Sequence, residues 1–423
     1  MKKKRLLYGA LVPFLLSFLL AACGGDSASG SKALVLRQFD PPSEIGGLQK
    51  AVDAWNSTHA DIPVRIETVT TDSTNQYTRE VQAGGGPDIM QLGFVSTRDL
   101  AKSQLLTNLD SLIKSNPPGK GIDDFLGTDL ATYNGSIYAI PWTVDTFTMV
   151  YHQAAFEQAG ITTFPTTWDE FFTVAQKLTK DGRYGFCFPA ASSADSGIWF
   201  LLNYYLWSNG KSLVEKGSDG TYQVGASAED LTQAINYFNT FIQKGINPKS
   251  ALGIAAYSDA QLVNQVAQGS CAIGFFPPQT FRQAQKQSGG KLQTAPVPGG
   301  TKTRISHLGG RVLGINPHTK YPKEAWQFLN YLLSAQTFKT YDQYPAQKSL
   351  FDQLTFDKAE QGYVEALPKA ITFNNYISSP VQVSSLQAMS CLQFGAAASG
   401  QKTVQRAGTD LLASLKQALA GAK

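Results

Sequence analysis

Apolar and polar positions along this 423-residue chain fall into blocks whose period switches from two to about 3.6 and back. Residues 33–39, Ala-Leu-Val-Leu-Arg-Gln-Phe, form a short apolar run that suits a buried strand, and Asp40-Pro41-Pro42 ends it as a breaker. Ile45, Leu48, Val52 and Trp55 then recur at spacings of three and four, which places them on one helix face. Residues 64–69 alternate apolar with polar and read as a second strand, so the globule opens as strand, helix, strand. Gly84-Gly85-Gly86-Pro87-Asp88 is a turn that feeds a third strand, Ile89-Met90-Gln91-Leu92. The pattern is that of an α/β protein with a partly parallel sheet.

Later segments extend it. Residues 137–141 and 146–151 predict two extended stretches. Thr167 and Glu170 have capping-box spacing ahead of Phe171, Phe172, Val174, Ala175 and Leu178, and Ser227-Ala228-Glu229-Asp230 opens a second helix by a similar device. Tyr321-Pro322-Lys323-Glu324 opens a third, and residues 384–420 read as mostly helical with a break at Ser399-Gly400. Trp55, Trp168 and Trp326 lie at helical core spacings, whereas Trp142, Trp199 and Trp207 fall near loops and element ends.

The first thirty residues follow a different rule. Lys2, Lys3, Lys4 and Arg5 precede an apolar stretch from Leu6 to Leu20, which is shorter than the roughly 20 residues that span a bilayer as a helix. Leu20-Ala21-Ala22-Cys23 resembles the lipobox of bacterial lipoproteins, which implies a signal peptide over 1–22 and acylation of Cys23. Residues 23–32 then form a Gly/Ser-rich tether. The expected location is the outer face of a cell membrane.

Charge narrows the partners. The chain has 36 Lys+Arg and 32 Asp+Glu, and loss of the four basic residues at positions 2–5 leaves a mature chain near neutrality. No basic block survives to bind nucleic acid, so a small or weakly charged partner is expected. About 400 mature residues exceed what one core usually holds, so two lobes are expected. Cys187, Cys271 and Cys391 form no metal-ligand spacing and allow at most one disulfide; Cys187 with Cys271 is one option, and burial of each as a small hydrophobe is the other. His59, His152, His307 and His318 are scattered, and no metal or cofactor is expected. The glycine run lacks a following Gly-Lys-Ser/Thr, and neither a G-x-S-x-G elbow nor H-E-x-x-H is present, so an enzyme is not expected. Tyr204-Tyr205 raises a ferric-iron alternative, but residues 200–206 read as helical and would turn neighbouring side chains apart by about 100°.

Several segments, in this order, resemble the family 1 extracellular solute-binding proteins, the capture subunits of ABC importers. They are 83–89 (Ala-Gly-Gly-Gly-Pro-Asp-Ile), 104–109 (Gln-Leu-Leu-Thr-Asn-Leu), 133–142 (Tyr-Asn-Gly-Ser-Ile-Tyr-Ala-Ile-Pro-Trp) and 149–152 (Met-Val-Tyr-His). Residues 156–160, 165–170, 269–273, 295–298 and Gly309-Gly310 continue the likeness. The resemblance implies a two-lobe, type II periplasmic-binding-protein-like fold. Each lobe is then a mixed, mostly parallel sheet flanked by helices, with the ligand cleft between them. Lobe one is expected over 33–143 plus 298–345, and lobe two over 144–297 plus 346–423.

The family's residue pattern carries over unevenly. An acidic residue near the first hinge crossing falls on Asp145, and a loop-plus-aromatic segment falls on 195–199, from Asp195 to Trp199. The Gly-Pro-Trp of maltose-type members is Pro277-Pro278-Gln279 here, a late helical aromatic falls on Gln387, and a sugar-gripping Asp-Arg pair falls on Val95-Ser96, so a malto-oligosaccharide is not the expected ligand. A sugar site needs aromatic faces for the CH side of the ring and carboxylates, amides or Arg for the hydroxyls. Candidates in lobe one are Phe39, Asp40, Gln91, Gly93, Phe94 and Trp142 with Asp145. Further along the chain they are Asp195, Trp199, Phe276 and Gln279, then Gly309, Gly310 and Arg311, a turn whose backbone can approach a ligand closely. The reading is a monomeric, lipid-anchored capture protein for a small solute, foremost a sugar, that delivers to an ABC permease.

Overall fold

The computed structural model describes residues 33–40, 42–69 and 74–422, the side chains of residues 42–45 excepted. The leader 1–22, Cys23 and the tether 23–32 lie outside the described residues, as does the Ile45 side chain.

Strand β1 (Leu34–Gln38) is followed by helix α1 (Pro42–Thr58), which buries Leu48, Val52 and Trp55 as the three-and-four spacing requires. Strands β2 (Val64–Thr68) and β3 (Ile89–Gly93) flank β1 and run parallel to it. Strand β3 passes directly into helix α2 (Phe94–Lys102). The next two strands, β4 (Ala139–Asp145) and β5 (Thr148–His152), are separated by Thr146 and Phe147 alone, yet they join different sheets.

Helix α3 (Trp168–Leu178) starts with the expected capping box, Thr167 accepting from the Glu170 N–H while the Glu170 carboxylate takes the Thr167 N–H. Helix α4 (Ile198–Ser208) is apolar on nearly every face and mostly buried, and α5 (Ala228–Gln243) begins at a second reciprocal cap between Ser227 and Asp230. Strand β6 (Ile273–Phe276), helix α6 (Pro278–Ser288) and strand β7 (Leu292–Ala295) complete the second sheet. The chain then returns as β8 (Gly309–Ile315), continues through helix α7 (Pro322–Leu332), and adds β9 (Tyr344–Pro345) to the first sheet. Helices α8 (Val383–Ala398) and α9 (Val404–Gly421) close the chain, with the break at the expected Ser399-Gly400.

The first sheet has the order β9-β4-β8-β3-β1-β2, and the second β6-β5-β7. Among the described strands of the two sheets, parallel pairing is confined to β1 with its two neighbours; β8 is antiparallel to β3 and β4, and both pairs of the second sheet are antiparallel. The first sheet is mixed, as expected, but the sheets are not mostly parallel, and the second is antiparallel throughout its described strands. The reason lies in the connections: β8 enters its sheet from the other lobe, against the direction of β3. Residues 184–187 lie beside the start of β6, through the Tyr184–Cys271 bridge and the Cys187 N–H on the Ile273 carbonyl. A Cys187–Cys271 disulfide ties these segments together, which settles the open pairing; Cys391 is a buried thiol, its pKa pushed up to about 12 by burial. No helix among the described residues is long and apolar enough to cross a membrane.

Candidate functional site

The C-terminal ends of β1 and β3 and the start of β8 meet at the edge of the first sheet that faces the second. Gln38 is buried and spends its side chain on local order: Oε1 accepts the Asp40 N–H at 2.7 Å and Nε2 donates to Thr68 Oγ1 at 2.8 Å. One strand over, Gln91 does the same, its Oε1 accepting the Phe39 N–H at 2.9 Å and its Nε2 donating to Asp40 Oδ2. Arg311 Nε donates to the other carboxylate oxygen, Asp40 Oδ1, at 3.0 Å. Both oxygens of Asp40 are thus engaged, and the residue is only 5% exposed. The Arg311 guanidinium lies 5.0 Å from the centroid of the Phe39 ring, a cation–π contact that fixes its plane.

Asp145 ends β4 directly opposite Gly309 on β8. A Cβ at position 309 would lie 2.2 Å from Asp145 Oδ1, so glycine is what lets the strand pass the carboxylate. Gly310 has φ 137° and would place a Cβ 2.0 Å from the Thr143 carbonyl oxygen; the register then slips between Arg311 and Val312. Burial raises the Asp145 carboxyl above its usual range, with Arg311 opposing and Asp40 reinforcing the rise.

His307 precedes this turn and is 5% exposed. Burial lowers its imidazole to about 3, so the ring is neutral at pH 7 and its 4.0 Å approach to Asp145 is not an ion pair. The Tyr204 hydroxyl, whose pKa burial raises, keeps its proton and lies 2.6 Å from Nδ1. Around the imidazole stand Phe200 at 4.7 Å, Phe373 at 5.5 Å and Phe147 at 5.6 Å between centroids. Phe147 stacks on Phe200, and Trp199 stacks on Phe373. Phe200 and Phe373 are half-buried, so aromatic surface remains accessible beside the carboxylates.

Two contacts close the mouth of this arrangement. Arg98 on α2 donates to Asn374 Oδ1 at 3.2 Å and to Ser378 Oγ, and Thr372 donates to Asp129 Oδ2 at 2.6 Å. The 372–378 segment is itself held to α4 through the Tyr376 hydroxyl, which joins Asn203 and Trp207.

Of the residues singled out from the sequence, Phe39, Asp40, Gln91, Asp145, Gly309, Gly310 and Arg311 form one connected group. Gly93 sits beside Arg311 in the strand register, whereas Phe94 turns inward and packs against Gly127. Trp199 supports Phe373 from the buried side, and Asp195 is exposed ahead of α4. Trp142 and Phe276 are both 0% exposed, so the structure assigns them to the core: Trp142 stacks on Tyr341 at 5.0 Å, and the Phe276 carbonyl accepts from the Tyr363 hydroxyl. Gln279 is half-buried in the first turn of α6. Tyr204 and Tyr205 diverge, Tyr204 to His307 and Tyr205 to a stack with Tyr237. The sequence reading missed His307, Phe147, Phe200 and Phe373. For His307 a signal existed, since it stands two residues before the Gly309-Gly310 turn.

The family described as bacterial extracellular solute-binding protein matches residues 41–337. An uncharacterized lipoprotein of Streptomyces antibioticus is 25% identical over 329 residues, which is 75% of this chain and 71% of that one. The multiple sugar-binding protein of Streptococcus mutans is 25% identical over 353 residues, 77% of this chain and 78% of its own. Among solved structures, a solute-binding protein from Thermotoga lettingae bound with α-D-tagatose superposes with a TM-score of 0.73 at 20% identity, covering 92% of this chain and 100% of that one. The fold is the two-lobe one these structures share.

Proposed function

Because the chain belongs to the bacterial extracellular solute-binding proteins, we propose that its interlobe cleft captures a sugar and that the sugar-loaded form is delivered to the permease of an ABC importer. The observation that carries this reading is the meeting of Asp40, Arg311 and Asp145 with the half-buried rings of Phe200 and Phe373 around His307. A pyranose or polyol has an apolar CH face and a rim of hydroxyls, and it is matched by one aromatic wall and one wall of charged hydrogen-bonding groups. The printed roles of relatives agree: besides the Streptococcus mutans protein, the Bacillus subtilis galactooligosaccharide-binding protein is 22% identical over 384 residues. Binding rather than turnover is the role, and ligand contacts from both lobes favour the closed state by their differential affinity. Acylation of Cys23 would keep the monomer near its permease, a reading supported by the lipoprotein relative.

A thermal-shift screen over a carbohydrate panel tests the reading, since a ligand that binds only the folded chain raises the melting temperature. At least one mono- or oligosaccharide is expected to do so, and Asp145→Ala is expected to abolish most of the shift. A panel in which amino acids or ferric chelates stabilise the chain and no carbohydrate does would overturn it.

A further inference from the structure

We infer that the flank of the second lobe carries an accessory carbohydrate site, separate from the interlobe cleft, in the pocket that α3 and α5 form over Tyr205 of α4. The inference goes beyond cleft capture: the site is built from these three helices alone and takes a short saccharide.

The tyrosine pair supplies the starting point. Neighbouring side chains on a helix point about 100° apart. Accordingly α4 sends Tyr204 to His307 and Tyr205 to the flank, where its ring stacks on Tyr237 of α5 at 4.9 Å between centroids. Phe172 of α3 lies 6.4 Å from the same Tyr237 ring. All three rings are half-buried and form the floor of a cavity of about 400 Å³. Its rim includes Asp169, Thr173, Asn236 and Thr240, and none of the residues grouped around Asp145 takes part. The size lies within the range of about 300–1,000 Å³ found for ligand sites, with room for about one or two sugar rings.

The polar groups of the rim are uncommitted. Outside the helix ladders, Tyr205, Asp169 and Asn236 use their main-chain carbonyls, which accept from Ser208 and Asn209, from Thr173 and from Thr240. The Tyr205 hydroxyl, the Asp169 carboxylate and the Asn236 amide hydrogen-bond to no other described residue. Burial, and after it the Asp169 charge, raises the Tyr205 phenol, so the hydroxyl keeps its proton and can donate. Tyr237 gives its own hydroxyl to the Trp168 carbonyl at 2.5 Å, which fixes the floor. A donor, an acceptor and an amide that is both therefore stand around apolar ring carbon, which is the pattern that the hydroxyls and CH face of a sugar require.

Other occupants fit less well. A protein partner would be met by exposed apolar side chains, yet the large hydrophobics exposed among the described residues are Val95, Ile371 and Leu392, and none lines this pocket. A hard metal ion takes six or more oxygens with several carboxylates, and the lining offers Asp169 alone. The Lys244 ammonium rests 5.2 Å from the Phe172 centroid and takes the cation–π position there, so this ring offers a ligand apolar carbon and no open cation seat.

Saturation-transfer NMR on the full chain in detergent micelles tests the site, with maltose, lactose, cellobiose and N,N′-diacetylchitobiose each at about 10 mM to reach millimolar affinities. The parent is compared with the cleft variant Asp145→Ala, with the flank pair Asp169→Asn and Asn236→Ala, and with the combination of cleft and flank changes. At least one disaccharide is expected to give signal on Asp145→Ala, and adding the flank pair is expected to cut that signal by about fivefold or more. The melting temperature is expected to stay that of the parent in the flank pair, since both residues are exposed. Should it fall, Tyr205→Phe decides: it keeps the ring stack, removes only the hydroxyl, and is expected to weaken binding on the Asp145→Ala background by about threefold. Loss of all signal on Asp145→Ala, or signal indifferent to the flank changes, overturns the accessory site and leaves cleft capture standing. Equal signal on parent and Asp145→Ala that the flank pair abolishes keeps the accessory site and removes cleft capture. Binding of a proline-rich peptide at the pocket where no saccharide binds also overturns the proposal.

Discussion

At the scale of single residues, His307 is the group whose environment departs furthest from what its sequence neighbours suggest. Burial among Phe147, Phe200 and Phe373 lowers its imidazole from 6.5 to about 3. The folded state thus refuses a proton that the unfolded chain accepts, so stability from this group is complete above about pH 6.5 and drains away as pH falls toward the folded value. His307→Gln removes the titration while keeping a neutral polar side chain. The stability gap between parent and variant is expected to shrink by about 2 kcal/mol between about pH 7.5 and about pH 5. Urea unfolding at the two pH values measures it, and a gap that does not change with pH would contradict the burial argument. Legibility at this scale was partial. Asp40, Gln91 and Arg311 could be chosen because they are polar groups at strand and turn ends able to bond hydroxyls, and Asp145 because the family's acidic residue falls on it. Trp142 and Phe276 could not be sorted from the core by type alone, since a large ring serves a cleft or a core equally well. Phe200 and Phe373 stood in segments that gave no cue to which face meets the gap.

At the scale of elements, local chemistry was more transparent than pairing. The caps at Thr167 and Ser227 are written in four consecutive residues each, and both formed as read. Strand direction depends on where a segment arrives from, which no local window contains; the antiparallel β8 and the antiparallel second sheet follow from crossings between lobes. The Cys187–Cys271 link is a third case, because a separation of 84 residues says nothing about proximity until residues 184–187 are laid beside β6. Closing a loop of that length restricts the unfolded chain by about 4–5 kcal/mol in the chain-entropy treatment. The paired variant Cys187→Ser with Cys271→Ser is accordingly expected to lose about 4 kcal/mol in chemical denaturation. The folded second lobe and its sugar affinity are expected to persist, since neither sulfur lies in the group around Asp145. A variant as stable as the parent would mean that the tie closes a segment already ordered in the unfolded ensemble.

At the scale of the whole molecule, the two lobes touch on opposite sides of the crossing segments, and the two sets of contacts differ in kind. On one side Arg282 of α6 is half-buried, makes paired hydrogen bonds to Glu360 at 2.7 and 2.9 Å, and reaches the Asp342 carbonyl. Tyr344 of β9 donates to the same Glu360 carboxylate. This knot joins the second lobe to the end of the first sheet and suits a pivot. On the other side the mouth is held by two small polar contacts, Arg98 with Asn374 and Ser378, and Thr372 with Asp129. Contacts of this kind are worth about 0.5–1.5 kcal/mol each, enough to bias an open–closed equilibrium several-fold without locking it. Arg98→Ala removes the larger of the two and leaves Asp40, Arg311 and Asp145 in place. The ligand-free variant is expected to have a larger radius of gyration in small-angle scattering than the parent, and the two are expected to converge at saturating sugar. Because the closed state then costs more to reach, sugar affinity is expected to fall by about three- to tenfold, through faster release rather than slower capture. Unchanged scattering together with unchanged release would show that the mouth contacts follow closure and do not drive it, and the balance between lobes would then rest on the Arg282 knot alone.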